Sequence, residues 1–573
     1  MENRKKEMIK NVINIAIIIV ISAILSIFLL NDKLDVFRDD GIQHIIRIEE
    51  TANNIRNMES SKVYNNLCNG FGYSWDLFYG NFTSLIPGVI CLIIGSPVIA
   101  FKIFLFLLLL FSGITMYISC LRIFKKKELA IIASIIYVCA PYHLNDMYVR
   151  FAIAEFASFV FIPLVFAGLN SILKDEKNKD YLLLVIGASG LIITHLLSTV
   201  ITALFALVYI ICNYKSLKDK NVIKKLAISL VVILLLTAYY WIPMLESTLN
   251  TKYEVYEENK MSTVESVNRH RVEVKNLISS KDYFQVHEIG ALTIILILLS
   301  VYSVKKIEKE NIKNYIIFLI FGMFSVIMTT YVIDWSKMPK FLLMIQFPWR
   351  MLEFSTCFLS IVASISFYYA LKKVKYIDVL YVMVIAVLFS SILKYKITYK
   401  DEVIENPKIG VVHEKSMYGT NAGAAKFEYL PKKAYENIEY IATRSEEIEI
   451  ISGEATINQF RKNGKILDAE ISHTEDIVVE LPYIYYIGYN VYINGEKTKN
   501  SESEKGFIEI AICKNDNAIS KIETKYTGTI SMKISCLLSI SGIIILAVYI
   551  IKKEKYENID IANNEEIVET QEK

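Results

Sequence analysis

Apolar residues gather in long, nearly unbroken runs and not in stripes of helical or strand period. The first runs roughly from Asn11 to Leu30. Others follow at about 99–122, 128–142, 152–171, 181–195, 199–213, 226–244, 289–304, 315–333, 350–371, 376–394 and 530–551. A helix needs about 20 apolar residues to cross a bilayer, so the pattern predicts a polytopic α-helical membrane protein of about twelve transmembrane helices, several of them short. Phe82 to Pro97 is also apolar, but it carries Pro87, Gly88, Gly95 and Pro97. It reads as an interfacial or re-entrant piece of the first outer loop.

Between the runs lie a first outer loop at 31–98, a middle outer loop at 246–288 and a large outer segment at 395–529. The large segment alternates polar and apolar residues, as in Glu447 to Ile457 and Ile466 to Ser472, and Asn494-Gly495 is a hairpin turn signal. That predicts an extracytoplasmic β-sandwich-like domain before the last helix. Residues 1–394 form the multi-helix module, 530–551 the last crossing, and 552–573 an acidic cytoplasmic tail read as disordered.

Lysine placement sets the sidedness. Lys125 to Lys127, Lys174 to Lys179, Lys215 to Lys225, Lys305 to Lys309, Lys372-Lys373 and Lys552 to Lys555 all fall on the inner side if Phe82–Pro97 does not cross. The basic Arg4-Lys5-Lys6 flank holds the N-terminus inside too, and no small-residue cleavage site follows the first helix. The expected location is therefore the cytoplasmic (plasma) membrane, with both termini cytoplasmic. All four tryptophans (75, 241, 335, 349) lie at or beyond the outer interface.

Composition agrees. Of 573 residues 54% are apolar and 21% charged, and mean hydropathy is +0.38. That excludes a disordered chain, a coiled coil and a purely soluble enzyme. Net charge is only +3, from 62 basic and 59 acidic residues, so no basic field points to nucleic acid. The eight cysteines show no CxxC pair and no metal-ligand spacing.

Ionisable side chains are costly at membrane depth unless paired or hydrated, so their positions carry information. They collect at the outer ends of the predicted helices. Asp39, Asp40 and His44 follow the first crossing. His143, Asp146, Arg150 and Glu155 join the third and fourth, His195 the fifth and sixth, and Glu246 ends the seventh. Trp349, Arg350 and Glu353 open the tenth. An outward-facing cavity lined by carboxylates, histidines and arginine accounts for this. Paired carboxylates there could act as a general base or hold a divalent metal, and an arginine beside a tryptophan could grip a phosphate. The plainer readings are a solvated loop for Asp39 and Asp146, an Arg150–Glu155 ion pair, and a helix cap for His195. His270, His287, His413 and His473 show no partner pattern and read as ordinary residues, and the tyrosines at 483, 485, 486 and 489 read first as β-sheet core.

An acidic motif after a first helix resembles the GT-C superfamily of polytopic glycosyltransferases. Residues 37–50 (FRDDGIQHIIRIEE), 70–80 (GFGYSWDLFYG), 140–156 (APYHLNDMYVRFAIAEF), 194–198 (THLLS) and 345–354 (IQFPWRMLEF) resemble the bacterial YfhO-like membrane proteins, also known as 6-pyruvoyl-tetrahydropterin-synthase-related membrane proteins. Glu428 to Pro431 and Leu481 to Gly495 extend the likeness over nearly the whole chain. The resemblance implies a membrane glycosyltransferase. It would move a sugar from a polyprenyl-phosphate carrier to a glycan or lipid acceptor of the cell envelope. It implies Asp40, with its neighbour Asp39, as the catalytic position, acting as general base or as metal or acceptor ligand, and Asp146 or Glu155 as the second acidic residue. Arg350 is the phosphate contact by chemistry. His44, Arg150, His195, Trp349 and Glu353 complete the expected substrate surface. The pterin label does not fit, because seven scattered histidines offer no clustered zinc site. A flippase for lipid-linked sugars and a non-catalytic envelope-assembly protein are the competing readings.

Overall fold

The computed structural model describes residues 2–174, 181–257, 262–278, 287–371, 427–514 and 518–571. The predicted crossing at 376–394, His413 and the start of the predicted β-domain lie outside them. The first half holds α1 (Glu2–Leu25), α2 (Gly41–Arg56), α3 (Phe82–Ile94), α4 (Pro97–Phe124), α5 (Lys127–Val138), α6 (Pro141–Tyr148) and α7 (Ile153–Leu173). Next come α8 (Tyr181–Ile192), α9 (Leu196–Cys212), α10 (Lys220–Leu236) and α11 (Ala238–Asn250). Then α12 (Ala291–Leu298), α13 (Lys309–Thr329), α14 (Met351–Leu371) and α15 (Ile530–Gln571) complete the set used below.

Each apolar run within the described residues falls on a helix, but the count of spans is smaller than the runs suggested. Among the described residues, which leave out the predicted crossing at 376–394, six helices are long and apolar enough to cross a membrane, or up to eight spans if two bent pairs each count as one. The shortfall has local causes. The α5–α6 pair bends by 44° where Pro141 opens α6. The α10–α11 pair bends by 69° at Thr237, whose hydroxyl donates back to the Ile233 carbonyl at 2.8 Å. Helices α8 and α9 are 12 and 17 residues long, short of a bilayer. Segment 82–94 is a short apolar helix of 13 residues, α3, packed on α2 and α4.

The bundle is centred on α7, whose apolar stretch is buried along its whole length, with α14 almost as enclosed. α4 and α8 flank α7, while α5 and α13 flank α14. α1 and α15 bury only 17% of theirs and form the rim. α15 continues past the apolar segment to Gln571, so the polar tail is helical and not the disordered chain its composition suggested. It holds neither proline nor glycine after Gly542, and nothing in it breaks the helix.

The C-terminal domain carries two antiparallel sheets. One has strand order β1 (Glu449–Ser452), β4 (Ile477–Ile484), β8 (Phe507–Ile512), β7 (Ser501–Glu502). The other runs β2 (Ala455–Asn463), β3 (Ile466–His473), β9 (Ile519–Tyr526), β5 (Tyr489–Ile493), β6 (Glu496–Thr498). Asn494 and Gly495 have φ of 53° and 85° and close the β5–β6 hairpin as the sequence predicted. Tyr483 of β4 stacks on Tyr489 of β5 at 5.0 Å and ties the sheets together. Tyr483, Tyr486 and Tyr489 are buried in the sheet core, as the sequence suggested.

The domain clasps the segment between α1 and α3. Lys465, at the β2–β3 turn, reaches Asn54 Oδ1 at 2.8 Å, Glu59 Oε2 at 3.1 Å and the Ser60 carbonyl at 2.8 Å. The Ile484 N–H donates to the Phe71 carbonyl, and the Tyr429 N–H to the Tyr73 hydroxyl, both at 3.0 Å. The ring of Tyr429 stacks on Phe78 at 5.2 Å. This clasp fixes the end of α2 and the segment from Glu59 to Phe78 that follows it.

Candidate functional site

Three turns build the site, and each is pinned by a strained residue. Ten non-glycine residues among those described have positive φ, and three of them adjoin the candidate residues: Asp39 (48°), Phe151 (51°) and Gln346 (60°). Such a conformation is uncommon, and for an aromatic residue like Phe151 it is an outlier. It persists where surrounding contacts over-determine the backbone, which is common at functional sites.

Asp40 stands at the N-cap position of α2, but its side chain makes no capping hydrogen bond. Its N–H donates to the Arg150 carbonyl at 3.2 Å. Gly41 allows the approach: a Cβ there would lie 2.0 Å from the Val36 carbonyl oxygen and 3.2 Å from Phe151 Cβ. Burial raises the Asp40 carboxyl above its usual range, with Arg150 and Arg350 opposing the rise and Glu155 adding to it. Asp39 is exposed and pairs with Arg38 at 3.0 Å, in keeping with a solvated loop residue.

α6 and the start of α7 supply the second turn. Arg150 Nη1 lies 2.7 Å from Asp146 Oδ1 and 3.0 Å from Glu155 Oε2, and donates to the Tyr142 hydroxyl at 3.2 Å. Tyr142 in turn donates to Glu155 Oε1 at 2.5 Å. Asp146 is fully buried, so it is no solvated loop residue. Both carboxylates, Asp146 and Glu155, converge on one guanidinium nitrogen. Among the described residues no group of three or more His, Cys, Asp or Glu is arranged to hold a metal ion.

The third turn precedes α14. Gln346 has φ 60° and ψ −48°, and the Phe347 N–H donates across it to the Ile345 carbonyl at 2.6 Å. This is a γ-turn of the rare, strained hand. Arg350 Nη1 fastens it by donating to the Ile345 carbonyl and to Gln346 Oε1, both at 3.0 Å. Arg350 Nε then faces Glu155 Oε2 at 3.5 Å, and the guanidinium lies over Phe347 at 4.9 Å. Trp349 stacks on Phe347 at 4.5 Å and on His287 at 4.5 Å.

Glu353 and His195 meet through a bridge. Ser198 donates to Glu353 Oε2 at 2.7 Å, and its oxygen lies 2.7 Å from His195 Nδ1. If Ser198 gives its proton to Glu353, His195 donates from Nδ1 and keeps Nε2 as an acceptor. His195 occupies the N-cap position of α9 without capping it.

Sequence reasoning missed a second cationic cage. Arg47 of α2 is fully buried, 3.3 Å from Asp76 Oδ1, with its guanidinium 4.5 Å from the Trp75 ring and 5.0 Å from Tyr79. Tyr64 donates to the same Asp76 oxygen at 2.7 Å. His44 Nδ1 lies 3.4 Å from Arg47 Nη1, and burial pushes its pKa well below the usual value, with Arg47 and His195 reinforcing the shift. His44 is thus neutral and accepts from Arg47. Tyr79 links the cage to the site: burial raises its phenol to about 12, with Arg47 and Arg350 opposing, Asp40 and Glu155 adding. The available signal was a charge set inside the apolar run Ile45-Ile46-Arg47-Ile48. His287, read as ordinary, is buried against Trp349 with neither ring nitrogen partnered. Asn81, whose Asn81-Phe82-Thr83 pattern fits a glycosylation sequon, is also buried, its Oδ1 accepting from Tyr239 at 2.8 Å, so it is closed to modification in this fold.

Residues 77–398 match the family model of the 6-pyruvoyl-tetrahydropterin synthase related domain, described as a membrane protein. A protein of Lactococcus lactis subsp. cremoris (strain MG1363), described as uncharacterized, is 27% identical over 198 residues. The likeness covers 33% of this chain and 32% of the relative, so this chain spans about a third of that protein's length. No solved structure matches.

Proposed function

The chain belongs to the 6-pyruvoyl-tetrahydropterin synthase related family of membrane proteins, and from that premise we propose that it is a GT-C-type glycosyltransferase using a polyprenyl-phosphate-linked sugar. The observation that carries the reading is that three turns with positive φ converge: the Asp40 N–H bonds the Arg150 carbonyl, and Glu155 faces both Arg150 and Arg350. A transferase of this kind needs one group to take a proton from the acceptor hydroxyl and another to stabilise charge on the leaving phosphate. Asp40 is the base. Arg350 stabilises the phosphate, and Arg150, held by Asp146 and Glu155, fixes the turn whose carbonyl receives the Asp40 N–H.

The acceptor oxygen forms a bond to the anomeric carbon as the bond from that carbon to the phosphate oxygen breaks. The bonding pair leaves with the phosphate, and the hydroxyl proton passes to Asp40. Configuration at the anomeric carbon inverts. In this proposal the site faces the outside of the cytoplasmic membrane, both termini are cytoplasmic, and the sheet domain holds a glycan or lipid acceptor of the envelope. The short apolar helices and the predicted crossing at 376–394 bring the helix count toward twelve.

The test supplies membranes with labelled polyprenyl-phosphate sugars and compares wild type with Asp40→Asn at matched protein levels. Transfer by wild type and none by the variant sustains the reading. Equal transfer by both removes Asp40 from the chemistry, and transfer by neither with a full panel of donors favours a flippase or an assembly scaffold.

A further inference from the structure

We infer that His287, Trp349 and Arg350 form a phosphoester-binding subsite, with His287 supplied by the segment that precedes α12. The inference rests on the transferase reading for its substrate class, but on separate observations for its geometry.

Buried polar groups in folded proteins are almost always hydrogen-bonded, and each exception asks for an explanation. Among the described residues His287 is the one histidine with neither ring nitrogen partnered, although it is 7% exposed. Its ring stacks on Trp349 at an interplanar angle of 14°, and the Trp349 indole N–H is also buried and unpartnered. The next residue, Arg350, has a buried Nε with no hydrogen bond; its nearest carboxylate oxygen, on Glu155, is 3.5 Å away. Unsatisfied N–H groups from consecutive residues therefore sit beside an imidazole stacked on one of them.

What these groups lack in common is an acceptor. Trp349 Nε1 and Arg350 Nε can only donate, and a neutral imidazole donates from one nitrogen. A phosphoester oxygen accepts several such bonds, and an arginine grips it with geometric fit. Water would satisfy the donors singly, but it offers no reason for a guanidinium, an indole and an imidazole to be assembled on one aromatic pile. The pile of Phe347, Trp349 and His287 fixes all three planes, so the donors are set before a ligand arrives.

The shared chemistry is a phosphate group, on a lipid or free. The full-length protein in nanodiscs is titrated with a prenyl monophosphate, with the matching prenol and with inorganic phosphate, and binding is followed calorimetrically. Wild type is expected to bind the prenyl monophosphate and not the prenol. His287→Phe keeps a stacking ring and loses both nitrogens; it is expected to weaken binding at least tenfold with an unchanged melting temperature. If that variant does not accumulate, Trp349→Phe, which loses one N–H and keeps the stack, carries the same expectation.

Inorganic phosphate bound with a similar loss in the variant supports the subsite and makes the headgroup its sole source of recognition. Unaltered binding in both variants overturns it, as does a wild type that binds no phosphate compound. The two readings separate cleanly. A wild type that binds prenyl phosphate through His287 but transfers no sugar keeps the subsite and sinks the transferase. Transfer by His287→Phe with unchanged KM and kcat does the reverse.

Discussion

The backbone N–H of Asp40 donates to the carbonyl of Arg150, joining the loop after α1 to the turn between α6 and α7 at 3.2 Å. The catalytic position proposed for Asp40 is therefore held by main chain, and the fit depends on the residue beside it. Gly41→Ala places a methyl 2.0 Å from the Val36 carbonyl oxygen. Crowding of this kind costs typically about 1–3 kcal/mol. The expected outcome is a lower melting temperature and a larger loss of transfer than of stability, measured by thermal unfolding and by the labelled-sugar assay. A variant with wild-type values in both would show that α2 can shift without consequence.

Asp40 also sets a pH dependence. Burial raises its carboxyl above the usual value of about 3.9, so it holds its proton at pH values where an ordinary aspartate has lost it. Only the deprotonated form can act as base. Transfer should therefore fall on acidification as the pH drops through this raised pKa, and level off above it. Single-turnover rates as a function of pH check this. A rate constant from neutrality down to about pH 4 would remove Asp40 as the base.

Arg150 and Asp146 predict an asymmetry. Removing one member of a buried ion pair leaves its partner uncompensated and costs about 3–5 kcal/mol. Arg150→Met strands both Asp146 and Glu155, whereas Asp146→Asn leaves Arg150 with Glu155 and keeps an oxygen toward it. Chemical denaturation should show Arg150→Met as the more destabilised variant by at least about 1 kcal/mol. The opposite order would mean that the two carboxylates do not depend on Arg150.

Lys465→Met probes the clasp between sheet domain and loop. The lysine is almost fully buried among Asn54, Glu59 and Ser60, and methionine fills similar space without the charge. Limited proteolysis should cut the segment between α2 and Tyr73 faster in the variant, and transfer should fall with it. Unchanged protection would place the clasp's strength in the Ile484–Phe71 and Tyr429–Tyr73 contacts instead.

The helices and the two-sheet domain were legible because hydropathy and alternation are local properties. Asn494-Gly495 announced its hairpin for the same reason, since both turn positions need positive φ. Span number was harder: the helix breaks at Thr237, where a hydroxyl turns onto its own helix, and no run length reveals that break. Within the site, Asp40, Asp146, Arg150, Glu155 and Arg350 stood out as charges at the ends of apolar runs. Arg47 did not, because its partner Asp76 lies 29 positions away and its meaning depends on their meeting. His287 was invisible on other grounds: what marks it is the lack of a partner, and a sequence cannot show which atoms remain unbonded.

The clasp has a further consequence in time. Glu59 meets Lys465 across 406 positions of chain, so during synthesis the segment after α2 exists long before the residue that secures it. At about 5–20 residues per second the interval is roughly 20–80 s. Throughout it Glu59 lacks its counter-charge, and the surface destined for the sheets stays open to chaperones and proteases. A nascent chain that ends before Lys465 therefore has most of its helices but not the contact that secures the segment after α2.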